Sequence, residues 1–155
     1  MQPRHSPTFD PIHLVRDIGA RATVAIGLAG IGLIHLLDAI GKYNETRYLF
    51  WMYVALIVAS LATAGAVLFT RTRAAFLAAA GLAASAAAGY VLSRTTGLPN
   101  ATGDIGNWTE PLGLASLFVE AAVAAVAVCA HIVVPPRAQA AARPRSLPRV
   151  MADAA

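Results

Sequence analysis

The sequence predicts an all-α integral membrane protein, a four-helix bundle with both ends on the cytoplasmic side (N-in/C-in). Three observations carry this reading: an apolar composition, four apolar runs and the placement of charge. The mean hydropathy is +0.61. Of the 155 residues, 57% are apolar and only 13% charged, a balance unlike that of soluble domains. Four apolar runs, at about 22–40, 48–70, 74–92 and 112–134, each approach the roughly 20 residues that cross about 30 Å of hydrocarbon.

The third observation is the uneven spread of basic residues, because Lys and Arg are retained on the cytoplasmic side. Nine of the twelve fall on one side: Arg4, Arg16 and Arg21, then Arg71 and Arg73, then Arg137, Arg143, Arg145 and Arg149. Lys42, Arg47 and Arg94 fall on the other. The same placement explains the net charge of +4 without nucleic acid, since the basic residues border apolar runs and build no face of their own. The expected partners are the lipid bilayer and either another membrane protein or a second copy of the chain.

Residues 1–21 read as a cytoplasmic N-terminal segment. Asp10 before Pro11 has the pattern of an N-cap followed by Pro at the first helical position, which predicts a short interfacial helix through about Asp17. The polar stretch before the first run is longer than a signal-peptide n-region, and no small-residue cleavage site follows Ile40. The first run is therefore expected to stay in the protein as a span. Residues 22–134 form the four-span domain. Gly81, Ser85 and Gly89 recur at four-residue spacing in the Ala-rich third run, which predicts a stripe facing another helix, although chance spacing in such a run gives the same pattern.

The longest connection runs from Arg94 to Pro111 and contains Gly97, Pro99, Gly103 and Gly106, as functional or mobile loops do. Tyr43, Tyr48, Trp51 and Trp108 collect on this outer side as an aromatic belt. Residues 135–155 are rich in Pro, Arg and Ala without apolar periodicity, so a disordered basic cytoplasmic tail is expected. Cys129 is the only cysteine, which rules out an intrachain disulfide and leaves it as a small apolar filler.

Ionisable groups inside hydrocarbon are costly and usually face the bundle interior. His35 and Glu120 are the two deepest. Counting 1.5 Å per residue from the outer ends of their spans puts them at similar depths, about 9 Å and about 12 Å. Asp38 shares the face of His35 three residues on, Ser116 lies one turn outward from Glu120, and the third span ends with Tyr90 and Arg94. Arg94 is expected to be held by Glu110 or Asp104, an Arg–carboxylate pair that fastens the long loop. If these faces turn inward, His35, Asp38, Tyr90, Arg94, Glu110, Ser116 and Glu120 gather in one outer polar site. Two readings of that site stand: a pair of helices fixed in register by His35 and Glu120, or a place for a ligand, proton or ion. No cofactor is expected; a hard or borderline metal ion stays open, because one His with two carboxylates suits it in principle.

Several of these residues carry a resemblance. The segment Ser93-Arg94-Thr95-Thr96-Gly97-Leu98-Pro99, then Glu110-Pro111-Leu112-Gly113-Leu114, then Glu120, with His35 and Glu45, resembles small four-helix membrane proteins of actinobacteria that carry SRTxGLP and EPxG segments. The resemblance covers about Ala22 to Val134. It implies a bacterial plasma membrane and implies no activity. Related sequences often carry a histidine-bearing stretch after the first span. Here Gly41-Lys42-Tyr43-Asn44-Glu45 stands in its place, which argues against a multi-histidine metal site.

Neither a Cys-based motif, a nucleotide-binding glycine loop nor a serine elbow occurs in the sequence. The preferred function is therefore non-enzymatic: an accessory or small-ligand/ion-binding protein of the plasma membrane. The alternative is a redox or transport component that uses the buried His and carboxylates.

Overall fold

The computed structural model describes residues 11–70 and 72–133, and all the described regular structure is helical. Four helices follow one another: α1 (Pro11–Glu45), α2 (Arg47–Phe69), α3 (Arg73–Thr95) and α4 (Pro111–Val133). Each is long and apolar enough to cross a membrane. Thr46 alone links α1 to α2, and its extended backbone (φ −148°, ψ 96°) reverses the chain in one residue. A similarly short link joins α2 to α3. Such short links make sequence neighbours antiparallel. α1 packs on α2 and α4, and α3 on α4 and more sparsely on α2, so the helices form a ring in chain order. The start of α1 and the end of α4 therefore share one end of the bundle, the terminal end, opposite the α3–α4 loop.

The core lies in the terminal half. Val24, Leu28 and Ile31 of α1 meet Val67 of α2, Phe76, Ala79 and Ala83 of α3, and Val123 and Ala127 of α4. Alanine at most of the α3 and α4 positions lets those helices approach closely, with Phe76 filling the centre. Large apolar side chains such as Ile26, Leu33, Trp51, Phe69 and Phe118 cover the outside of the ring, the expected arrangement where the surrounding solvent is hydrocarbon.

The terminal end is tied in part through the last turn of α2, whose carbonyls have no partner within their own helix. Arg21 is buried and donates from Nη1 to the Val67 carbonyl (2.7 Å) and from Nε to Asp17 (2.9 Å), with its guanidinium 5.1 Å from the centre of the Phe76 ring. Arg21 thus acts as an internal tie between α1 and α2, in addition to its place in the charge bias. At the same end, His131 of α4 has Nδ1 3.2 Å from the Arg73 carbonyl.

Two expectations are corrected. A helix does begin at Pro11, but it is not a separate interfacial piece: α1 runs 35 residues without a break, about 52 Å at 1.5 Å per residue. The Asp17–Arg21 pair, one turn apart, lets two charges ride within it. The Gly81, Ser85 and Gly89 stripe is not the packed face of α3. Gly81 and Ser85 are exposed, and a Cβ at Gly81 or Gly89 would meet nothing within 4 Å. The buried face is Ala75, Phe76, Ala79, Ala80 and Ala83. Residues 1–10 and the tail 135–155 lie outside the described residues.

The glycine that does permit close approach is Gly27, where a Cβ would collide with Cγ2 of Val123 on α4. Gly27→Ala is expected to destabilise the bundle by about 1–3 kcal/mol, the usual cost of overpacking, and Gly27→Ala with Val123→Ala to regain part of that loss. Gly81→Ala should be neutral or slightly stabilising, since alanine is the better helix former. Thermal unfolding in lipid nanodiscs checks both; equal losses at the two glycines would show that the packed face is misassigned.

Candidate functional site

The loop half of the bundle is hollow. A cavity of about 520 Å³ opens among all four helices and the long loop. All seven residues singled out from the sequence line it: His35, Asp38, Tyr90, Arg94, Glu110, Ser116 and Glu120.

Its roof is the loop between α3 and α4, which is folded and fastened. Gly97 ends α3 at φ 74°, a left-handed backbone that suits glycine, and a Cβ there would press against Ile105 and Thr102 at 3.0–3.2 Å. Pro99 and Asn100 (φ 56°) occupy the corners of a tight turn closed by hydrogen bonds between Leu98 and Ala101 in both directions. Tyr48 donates its hydroxyl proton to the Pro99 carbonyl (2.6 Å), and the Gly106 amide donates to the Arg94 carbonyl (2.9 Å).

Arg94 is the central fastener. Its Nη2 lies 2.6 Å from Glu110 Oε2 and its Nη1 3.1 Å from Asp104 Oδ1, so both acids considered from the sequence hold it at once. Its guanidinium also sits 4.8 Å from the centre of the Tyr90 ring. Asp104 reaches on to Lys42 of α1 (3.6 Å), which in turn pairs with Glu45 (2.9 Å), so the loop is tied to the first helix as well as the third. Glu110 precedes Pro111, the first residue of α4, where a carboxylate suits the positive end of the helix dipole. Gly113 one turn on leaves the needed room: a Cβ there would lie 2.5 Å from Tyr90 Cε2 and 3.3 Å from Arg94 Nη2.

The floor is formed by His35, Ser116 and Glu120. Glu120 is 1% exposed. Ser116 donates to its Oε1 (2.7 Å), and Nε2 of His35 lies 3.9 Å from the same oxygen. His35 is aimed by its other nitrogen, with Nδ1 2.9 Å from the Ile31 carbonyl, and by Tyr53, whose ring meets it edge-to-face at 5.0 Å. Glu120 Oε2 and the Tyr90 hydroxyl are buried without a hydrogen-bond partner. Asp38 lines the wall one turn above His35. Among the described residues, no three His, Cys, Asp or Glu side chains gather closely enough to hold a metal ion.

Lys42 and Tyr53 were not among the sequence-derived site residues. In the sequence Lys42 bears only on orientation, yet it follows Asp38 by about one helical turn and therefore shares the cavity side of α1 with it. Tyr53 had a readable signal: it lies more than one turn deeper than Tyr48 of the aromatic belt, too deep to be an interfacial ring.

No protein-family model, curated protein or solved structure matches the chain. The site is thus read from its geometry.

Replacing Arg94 by Gln removes the charge that both loop acids share. Because Asp104 and Glu110 are more than a third exposed, solvent screening holds the expected cost to about 1–2 kcal/mol. Its visible effect should be local: faster proteolysis and hydrogen exchange across residues 97–109, with the helices still protected. An unchanged loop in the Arg94→Gln protein would show that Arg94 does not fasten it.

Proposed function

We propose that this chain is a multi-pass protein of a bacterial plasma membrane, with both termini in the cytoplasm and a polar ligand-binding cavity open toward the outer face. In this reading it is a non-enzymatic binding or accessory protein. The observation that carries it is Glu120: a carboxyl group at the floor of a cavity of about 520 Å³, 1% exposed, with one oxygen lacking any hydrogen-bond partner. An unmet buried acceptor costs about 1–3 kcal/mol, more when charged, so this oxygen gains from a donor that a ligand would bring. The volume falls within the roughly 300–1,000 Å³ of small-ligand sites. The charge bias of nine against three supports the orientation, and the resemblance supports the bacterial plasma membrane.

The depth of His35 and Glu120 favours a second reading, a transport or redox component, since ionisable groups buried in spans commonly mark ion and proton paths. A visible absorption band or stoichiometric metal in the purified protein would move the assignment to the redox form of that reading.

Orientation and access are tested together by Ser93→Cys in a Cys129→Ala background. Ser93 lines the cavity, so an impermeant thiol reagent added to intact cells should modify it. Thr72→Cys, at the opposite end of α3, should react only after the cells are opened. Modification of Thr72→Cys from outside would reverse the topology, and a Ser93→Cys protein inert from both sides would mean that the cavity is closed to water.

A further inference from the structure

The floor of the cavity specifies the kind of ligand it takes. The Ile31 carbonyl can only accept a hydrogen bond, so Nδ1 of His35 carries the proton and Nε2 of the neutral ring is an acceptor (2.9 Å contact). That acceptor faces Glu120 Oε1 at 3.9 Å, and in the ionised form that would meet a cation Glu120 also only accepts. Ser116 spends its single proton on Oε1, and Oε2 receives none. The floor thus presents Nε2 of His35 and both Glu120 oxygens as acceptors, with the Ser116 proton the one donor bonded to them; the unpartnered Tyr90 hydroxyl lines the wall of the same cavity.

The charges above lead to the same conclusion. Four carboxylates, Asp38, Asp104, Glu110 and Glu120, line the cavity against two cations, Lys42 and Arg94. Both cations are engaged: Arg94 by Asp104 and Glu110, Lys42 by Glu45 and Asp104. An anion entering the cavity would meet an excess of negative charge and no unengaged cation. A bare metal ion would find one imidazole and one carboxylate at the floor, short of a coordination shell from the protein. The α2 wall, with Leu49, Met52 and Leu56, is apolar and calls for a ligand with a hydrocarbon body. Tyr53, edge-on to His35, adds an aromatic ring to the same lining.

We propose that the cavity binds a small organic ammonium ion, with its N–H groups directed to Glu120 and His35 and its apolar body against α2. This rests on the reading of the cavity as a ligand site. The donors missing from the floor are those an ammonium group supplies, and its charge balances the unmatched carboxylates. Leu49, Met52 and Leu56 set the size and shape of the hydrocarbon part.

The test uses three probes with one ring body and different charge: benzylammonium, benzyl alcohol and benzoate. Each is titrated by calorimetry into the full chain in lipid nanodiscs, with empty nanodiscs subtracted for partitioning. Benzylammonium should bind at least about tenfold more tightly than benzyl alcohol, near the lower end of what a close charge pair contributes. Benzoate should not bind. Glu120→Gln should lower benzylammonium affinity to about the level of the alcohol, while Glu120→Asp keeps a preference for the amine. Equal affinity for amine and alcohol, or tighter binding of benzoate, overturns the ammonium assignment yet leaves a ligand cavity in place. That comparison needs no variant, so it stands even if Glu120→Gln fails to fold. If none of the three binds the wild-type chain, the ligand-cavity reading fails as well.

Discussion

Keeping a carboxyl group within apolar helices is the constraint that organises the loop half of this bundle. Glu120 is almost wholly removed from solvent, at a depth where an ionisable side chain costs roughly 2.5–3.5 kcal/mol on insertion scales. Ser116 offsets part of that cost by a direct hydrogen bond to Oε1, and the ring of His35 stands 3.9 Å from the same oxygen. Neither reaches Oε2. The oxygen is buried at the floor of the cavity, a space whose lining also includes His35, Tyr53, Tyr90 and Asp38.

That space shapes the rest of the fold. In the terminal half, alanines of α3 and α4 close around Phe76, and Gly27 seats against Val123, so helix backbones approach tightly. In the loop half the helices surround a cavity, and packing alone holds them less well. The loop between α3 and α4 compensates. Through Arg94, Asp104, Glu110 and Lys42 it links α1, α3 and the start of α4 above the cavity, and Tyr48 ties α2 to its turn at Pro99. Arginine suits this position because its planar fork presents separate nitrogens to two carboxylates, which a lysine ammonium matches poorly.

The spans were legible because an apolar run of sufficient length has few other uses, and their bounds fall within a few residues of the helices at most ends. The early start of α1 was not legible. Asp17 and Arg21 interrupt the run in sequence, but they neutralise each other across one turn, which hydropathy counted residue by residue does not register. The packed face of α3 was misread for a related reason. Rows of alanine carry almost no periodicity, so the glycines and Ser85 attracted notice while Ala79 and Ala83 did the packing. In the candidate site, depth was readable and rotation was not. Counting 1.5 Å per residue brought His35 and Glu120 to one level, and helical spacing puts Lys42 on the face of Asp38, whereas the inclusion of Tyr53 depended on how α2 turns about its axis.

The claim most open to direct measurement is that His35 and Glu120 act as one unit. A double-mutant cycle with His35→Leu and Glu120→Leu, followed by thermal unfolding in lipid nanodiscs, measures their coupling. Each single change strands the other polar group in an apolar setting, whereas the double change removes both. The account predicts that the double variant recovers much of the stability lost in the single variants, with a coupling above about 0.5 kcal/mol, the margin within which independent sites add. Strictly additive losses would contradict it, because they would mean that the two side chains do not sense each other.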